Sequence, residues 1–246
     1  MRKIVVSEFV SLDGVMQAPG GKDEDTEGGF AHGGWTWPYW HDDIGAAFAE
    51  AMSESDVLLL GRKTWQIHGG AFEPMAAGDP FGDAMNAMPK YVVSTTLASA
   101  DTWRNSTLIS GNVVEEVRAL KAQPGKDISI DGSSVLIHTL AQHDLVDEYR
   151  LIVYPLVLGG GKKVFADGVR QNLRLVEARP LPTGVVLTRY EGLECMNRSP
   201  MIYAHGEHDI AVTGSGTLDA SRTEAWNRGT DRGHLCLLYT SPSPRD

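Results

Sequence analysis

Through the first 190 residues of this chain, short apolar runs alternate with helix-patterned segments, and no other feature so narrows what it can fold into. Lys3–Phe9 is a β-branched run that ends in the turn-forming Ser11-Leu12-Asp13-Gly14. Val57–Leu60 is apolar at every position, the pattern of a strand buried on both faces. Tyr91–Ser94, Ile128–Asp131 and Glu148–Pro155 read as further strands, and Leu173–Ala178 with Val185–Tyr190 as a terminal β pair. Between them, Ile44, Ala47, Phe48, Ala51 and Met52 follow helical spacing behind Asp42 or Asp43 as a cap. Val113–Lys121 is a helix closed by Pro124 and Gly125, and Ser133–Ala141 is another. Strands joined through helices need crossover connections. The expected fold class is therefore α/β: a three-layer α/β/α domain with a mainly parallel sheet and a terminal antiparallel pair. Residues 17–41, rich in Gly, Asp, Trp and His, have no period and read as a long loop.

Composition removes several function classes. A net charge of −10 argues against a nucleic-acid surface, although a local group of Lys and Arg around one phosphate is compatible with it. No stretch approaches the roughly 20 apolar residues that span a bilayer. At the amino terminus the apolar run is broken by Ser7 and Glu8, which reads as a strand and not as a signal peptide. The two cysteines, Cys195 and Cys236, lie in the last quarter, so the first 194 residues fit a reducing cytoplasm. His205-x-x-His208 and the dispersed His32, His41 and His68 have no zinc spacing, and no metal is expected. A GxSxG nucleophile turn is absent from the sequence.

Three turns carry the chemistry. In Leu58–Trp65 a buried strand ends at Gly61 and a helix begins at once with Arg62, Lys63 and Thr64. Unpaired amides and the positive dipole end of such a helix attract phosphate, and these three side chains add donors. Asp131-Gly132-Ser133-Ser134 repeats that geometry, with plain helix capping by a serine as the competing reading. Ser94, Thr95 and Thr96 follow the strand from Tyr91, at the end of an α/β sheet where ligands bind. Three such strand ends in one sheet point to a dinucleotide.

The segments LLLGRKTW, KYVVSTTL and IDGSSVLIHTLAQHDLVDEYRLIVYPLVLGGGKKVF together resemble the reductase domain of riboflavin biosynthesis and its dihydrofolate-reductase-like relatives, over about residues 1–190. The resemblance implies NADPH as cofactor. It places Gly61–Trp65 at the cofactor's phosphates, Ser94–Thr96 by its adenosine end and Asp131–Ser134 around its pyrophosphate. It also implies hydride transfer to a small heterocyclic substrate, either a ribosylaminopyrimidine riboflavin precursor or a pterin-like compound, by a cytoplasmic homodimer with no nucleic-acid or membrane partner. A non-catalytic nucleotide-binding module of the same fold is the alternative. The proton donor is sought at Asp42 or Asp43, near the start of the first helix, and Asp13 is placed to meet the nicotinamide or the substrate; helix capping and turn formation are their competing roles. Aromatic residues of the loop 28–43 read as a cover for a flat substrate, with a folded surface loop as the competing reading, and Val157–Lys162 reads as a structural loop with a role in pairing subunits.

The pattern changes after about residue 193. Residues 194–246 are expected to be a poorly structured tail and not an independent domain. Residues 191–220 resemble a short internal piece of the pectin-degrading, polygalacturonase-like glycoside hydrolases that fold as β-helices, too short to stack the coils that fold requires. The final CLLYTSPSPRD resembles a vector-derived translation, so the tail reads as a fusion or artefact, with a genuine disordered extension as the alternative.

Overall fold

The computed structural model describes residues 1–75 and 78–192, and the readings made for the tail lie outside these residues. Its strands are β1 (Ile4–Ser11), β2 (Ser55–Gly61), β3 (Lys90–Val93), β4 (Ser106–Ile109), β5 (Asp127–Ile130), β6 (Glu148–Tyr154), β7 (Leu173–Pro180) and β8 (Val186–Gly192). Its helices are α1 (Asp42–Glu54), α2 (Arg62–Phe72), α3 (Pro80–Ala87), α4 (Val113–Ala122) and α5 (Ser134–Gln142). The strands form one sheet in the order β4-β3-β2-β5-β1-β6-β8-β7. The first six are parallel, and β8 and β7 close the edge antiparallel. This is the expected three-layer α/β architecture.

Period-two alternation along β1 decides which layer each residue joins. Ile4, Val6 and Val10 pack with Val117, Leu120, Ile137 and Leu140 of α4 and α5. Phe9, on the opposite face, packs with Ile44 and Phe48 of α1 and with Tyr154 of β6. A third cluster forms around Leu58, Leu60, Trp65 and Trp103. There the ammonium of Lys90, fully buried, donates to the carbonyls of Met85 (2.7 Å), Asn86 (3.2 Å) and Met88 (2.6 Å) at the end of α3, and lies 4.4 Å from the centre of the Trp103 ring.

Two elements go beyond the sequence reading. α3 is short, capped by the Asp79 side chain with Pro80 at its first turn, and β4 is a four-residue edge strand bonded to β3. Neither is long enough to show a period. The cap of α1 also differs: His41 is the N-cap, its Nδ1 accepting from the Asp43 amide at 3.2 Å, while Asp42 and Asp43 sit in the first turn, where carboxylates favour the helix dipole. The loop 17–41 is a folded strap, pinned by Trp35 Nε1 to the Gln17 carbonyl (2.8 Å), Thr36 Oγ1 to the Pro19 carbonyl (2.7 Å) and Trp37 Nε1 to the Gly20 carbonyl (2.6 Å). Among the described residues, no helix is long and apolar enough to cross a membrane.

Candidate functional site

The carboxyl ends of the central strands open into a cleft of about 1260 Å3. Its walls include Gly61–Thr64, Ser94–Thr96 and Asp131–Ser134, so the three turns singled out in the sequence converge on one space. The physical reason is topological. In a parallel sheet each strand feeds its helix at the same end, and β2, β3 and β5 are neighbours in the sheet.

Two of these turns are built as one unit. Gly61 caps α2 without any side-chain acceptor, so no cap side chain engages the amides of the first turn. Ser133 caps α5 from a left-handed backbone (φ 67°) and makes no cap bond of its own. Its Oγ instead accepts from the Gly61 N–H at 2.8 Å, tying the start of α5 to the end of β2. Between them Gly132 (φ 65°) packs so closely that a Cβ would lie 2.7 Å from both Cγ2 and Oγ1 of Thr64. These contacts leave room there for backbone only, the usual arrangement where backbone amides approach phosphate. The Ser94 hydroxyl accepts from the amides of Thr96 and Leu97 at 3.1 Å each, which leaves Thr95 and Thr96 exposed on the cleft wall.

The cations around the cleft are disposed differently. Arg62 is exposed and holds only Gln66, at 3.4 Å. Lys63 pairs with Asp25 at 2.7 Å and Glu27 at 2.9 Å, and Lys162 reaches the same two carboxylates. This four-charge cluster ties the strap to α2 and to the loop after β6. Hydrogen bonds from the two ammonium groups hold Glu27 down at about 2. They also keep Asp25 below its ordinary value against the opposing effect of burial. The sequence reading included Lys63 and missed Lys162, whose role depends on a contact between segments more than 130 residues apart.

Asp13 and Asp43 do not line the cleft. The Asp13 carboxylate accepts from Ser11 Oγ (2.6 Å) and from the amides of Leu158 (3.1 Å) and Gly159 (2.8 Å), and the Ser11 hydroxyl above all holds it down at about 2. It anchors the loop after β6. Asp13→Ala is expected to speed amide exchange at Leu158 and Gly159 while leaving exchange in β1 unchanged. A depressed acid contributes stability above its unfolded value and loses it as pH falls, so this anchor weakens only below about pH 4, towards pH 2. Asp43 forms an exposed pair with Arg179 at 2.7 Å.

One carboxyl on the cleft floor belongs to neither pair. Glu8 of β1 is 3% exposed, lines the cleft, and its Oε1 has no hydrogen-bond partner. Burial first, then the adjacent Asp131, pushes it well above the ordinary glutamate range. Asp131 is itself raised by burial, opposed chiefly by His68, whose Nε2 lies 3.8 Å away. The sequence carried a signal for Glu8, a charged residue inside an otherwise buried strand. The α1 wall of the cleft offers Gly45, Phe48 and Ala49 and no carboxyl, and at its rim stand Trp37 and Trp40, 62% and 46% exposed with ring centres 5.8 Å apart.

Comparison with known proteins places the chain in a family. The model of the RibD C-terminal domain matches residues 2–187. The uncharacterized protein YyaP of Bacillus subtilis is 33% identical over 194 residues, covering 77% of this chain and 94% of its own length. Among solved structures, a protein of Shewanella sp. PV-4 provisionally assigned to riboflavin biosynthesis aligns with a TM-score of 0.60 at 20% identity, over 77% of this chain and 98% of that one. Dihydrofolate reductase from Enterococcus faecalis, complexed with NADP(H), aligns with a TM-score of 0.51 at 14% identity, over 78% and 97%. At those identities the two structures establish a shared dihydrofolate-reductase-like fold, and the match across residues 2–187 carries the assignment further: this chain belongs to the RibD C-terminal domain family.

Proposed function

We propose that the protein is an NADPH-dependent reductase of a small heterocyclic compound, with a ribosylaminopyrimidine or a pterin-like ring as substrate class. The carrying observation is the convergence of Gly61–Thr64, Ser94–Thr96 and Asp131–Ser134 on one cleft, with two cross-bonded turns that leave room only for backbone at the point where phosphate would approach. A bound NADPH supplies hydride to a C=N or C=O carbon. The chain's part is to hold the pyrophosphate on the α2 and α5 amino termini, with Ser133 and Ser134 beside it. Arg62, exposed and weakly engaged, would meet the 2′-phosphate. Trp37, Trp40 and Phe48 offer aromatic faces to a flat ring and exclude water from it. The enzyme is read as a cytoplasmic homodimer acting on a free small molecule, with no nucleic-acid or membrane partner. Leu175 and Val176, 53% and 38% exposed on the edge strand β7, give that dimer an apolar surface to cover.

Loss of absorbance of NADPH in the presence of aminopyrimidine and dihydropterin substrates tests the reaction. Failure of the protein to bind NADPH at all would overturn it. Arg62→Ala is expected to weaken NADPH more than NADH, by about 1.5–3 kcal/mol for one charge-assisted phosphate contact; equal losses for both would remove Arg62 from that role. The missing carboxyl on the α1 wall favours a second reading, a dinucleotide-binding module without turnover, in which NADPH binds and no substrate consumes it.

A further inference from the structure

The sheet has a notch at the cleft. β5 stops at Ile130, whereas β1 pairs with it only over Ile4–Val6 and then runs on beside β6 as far as Ser11. Beyond Val6, β1 has therefore lost its neighbour on the β5 side, and Glu8 occupies that gap next to Asp131 and Gly132. Its Oε1 is buried without a partner, and among the described residues no Lys, Arg or His forms an ion pair with it. The charged groups around it are Asp131 at the end of β5, Glu24 on the strap, and His68 of α2, which faces Asp131. Further out along the cleft, Lys63 and Lys162 are occupied by Asp25 and Glu27. The Gly132 backbone N–H favours an ionised Glu8, but burial and the Asp131 charge outweigh it, and a carboxyl so placed keeps its proton.

We propose that Glu8 is a ligand-binding acid of this cleft, a protonated carboxyl whose O–H donates a hydrogen bond to a ribose or phosphate oxygen of the dinucleotide lodged beside the Gly132 turn. This rests on the reading that the cleft takes NADPH. The neutral acid explains how a floor containing Glu8, Asp131 and Glu24 can accept a polyanion. Once ionised, Glu8 loses its donor and adds a negative charge beside the ligand. Binding is then linked to a proton. Where Glu8 is already protonated, NADPH binds with no proton change; above its titration each NADPH takes up one proton, and affinity falls about tenfold per pH unit. Removing the negative neighbour with Asp131→Asn lowers the Glu8 titration, so the fall begins at a lower pH.

The test is a titration of the whole chain with NADPH, followed by fluorescence across pH and by calorimetry in two buffers of different ionisation enthalpy. Wild type is expected to show the falling affinity and proton uptake. Glu8→Gln, which keeps a donor and cannot ionise, is expected to bind with an affinity that no longer varies over that range and with no uptake. Absence of uptake in wild type, or an unchanged pH slope in Glu8→Gln, would overturn the proposal. An infrared difference spectrum between ligand-free wild type and Glu8→Gln reads the protonated carboxyl directly and needs no NADPH. A carbonyl band that is lost in Glu8→Gln, together with failure to bind NADPH, sinks the function reading and with it the dinucleotide as the partner of Glu8, whereas NADPH binding without that band in wild type sinks the role of Glu8 alone.

Discussion

Gly132→Ala is expected to cost the protein most of its affinity for NADPH and a measurable part of its stability. Gly132 has φ 65°, so any side chain pays about 1–2 kcal/mol for the left-handed backbone. The added Cβ would also stand 2.7 Å from two atoms of Thr64, a β-branched side chain with little rotamer freedom, and relieving that overlap costs roughly 1–3 kcal/mol. The cheapest relief is to move the Asp131–Ser134 turn away from α2, which also pulls on the Ser133 bond to the Gly61 amide. The phosphate cradle then opens, and losing one or two of its contacts weakens NADPH roughly 10- to 100-fold. A fluorescence titration with NADPH and a thermal melt measure the two effects. Gly168→Ala is the control, since Gly168 shares the backbone (φ 76°) but has open space where its Cβ would go. Equal NADPH affinity in Gly132→Ala and wild type would remove this turn from the cofactor site.

Lys90→Met is expected to be the most destabilising single change in the apolar layers, by about 3–5 kcal/mol. Methionine fills a similar volume, so the loss is not a cavity effect. The ammonium donates to three carbonyls at the end of α3; that of Asn86 keeps the Asn105 side-chain amide at 3.0 Å, whereas those of Met85 and Met88 lose this donor, and each carbonyl left buried without one costs about 1–3 kcal/mol. Its contact with the Trp103 face is lost as well. Burial pulls the Lys90 pKa down to about 8, which still leaves it charged at neutral pH and in the form that makes these contacts. Urea unfolding at pH 7 measures the change. A loss under 1 kcal/mol would mean that water replaces the ammonium at those carbonyls.

The two residues differ in how visible they are before folding. Gly132 stands out in Ile128–Ser134, because a strand, a glycine and two serines before a helix form a recognisable local pattern. Lys90 carries no such mark. It reads as a solvated charge ahead of Tyr91–Val93, and its burial arises because α3, which is too short to show a period, ends against β3. The same contrast runs through the site. Arg62, Thr64, Thr95 and Ser134 were legible because each lies within a few residues of a strand end. Lys162, Asp25 and Glu27 were not, because their partners lie on other segments. Asp13 and Asp43 looked available as acids in the sequence; the tertiary structure gives them the Leu158 and Gly159 amides and Arg179 as partners.

What the sequence by itself determined is the layer architecture, the parallel sheet and the three turns that make the cleft. Apolar period and strand-to-helix turns are local properties, and a parallel sheet necessarily gathers its strand-to-helix turns at one end. What only the tertiary structure decided is the charge state and the partners of the groups in and around that cleft. Glu8 is one residue in a strand until β5 stops short at Ile130 and leaves it in the gap beside Asp131. Burial and the nearness of another charge belong to the space around a side chain, and that space is filled by residues far away along the chain.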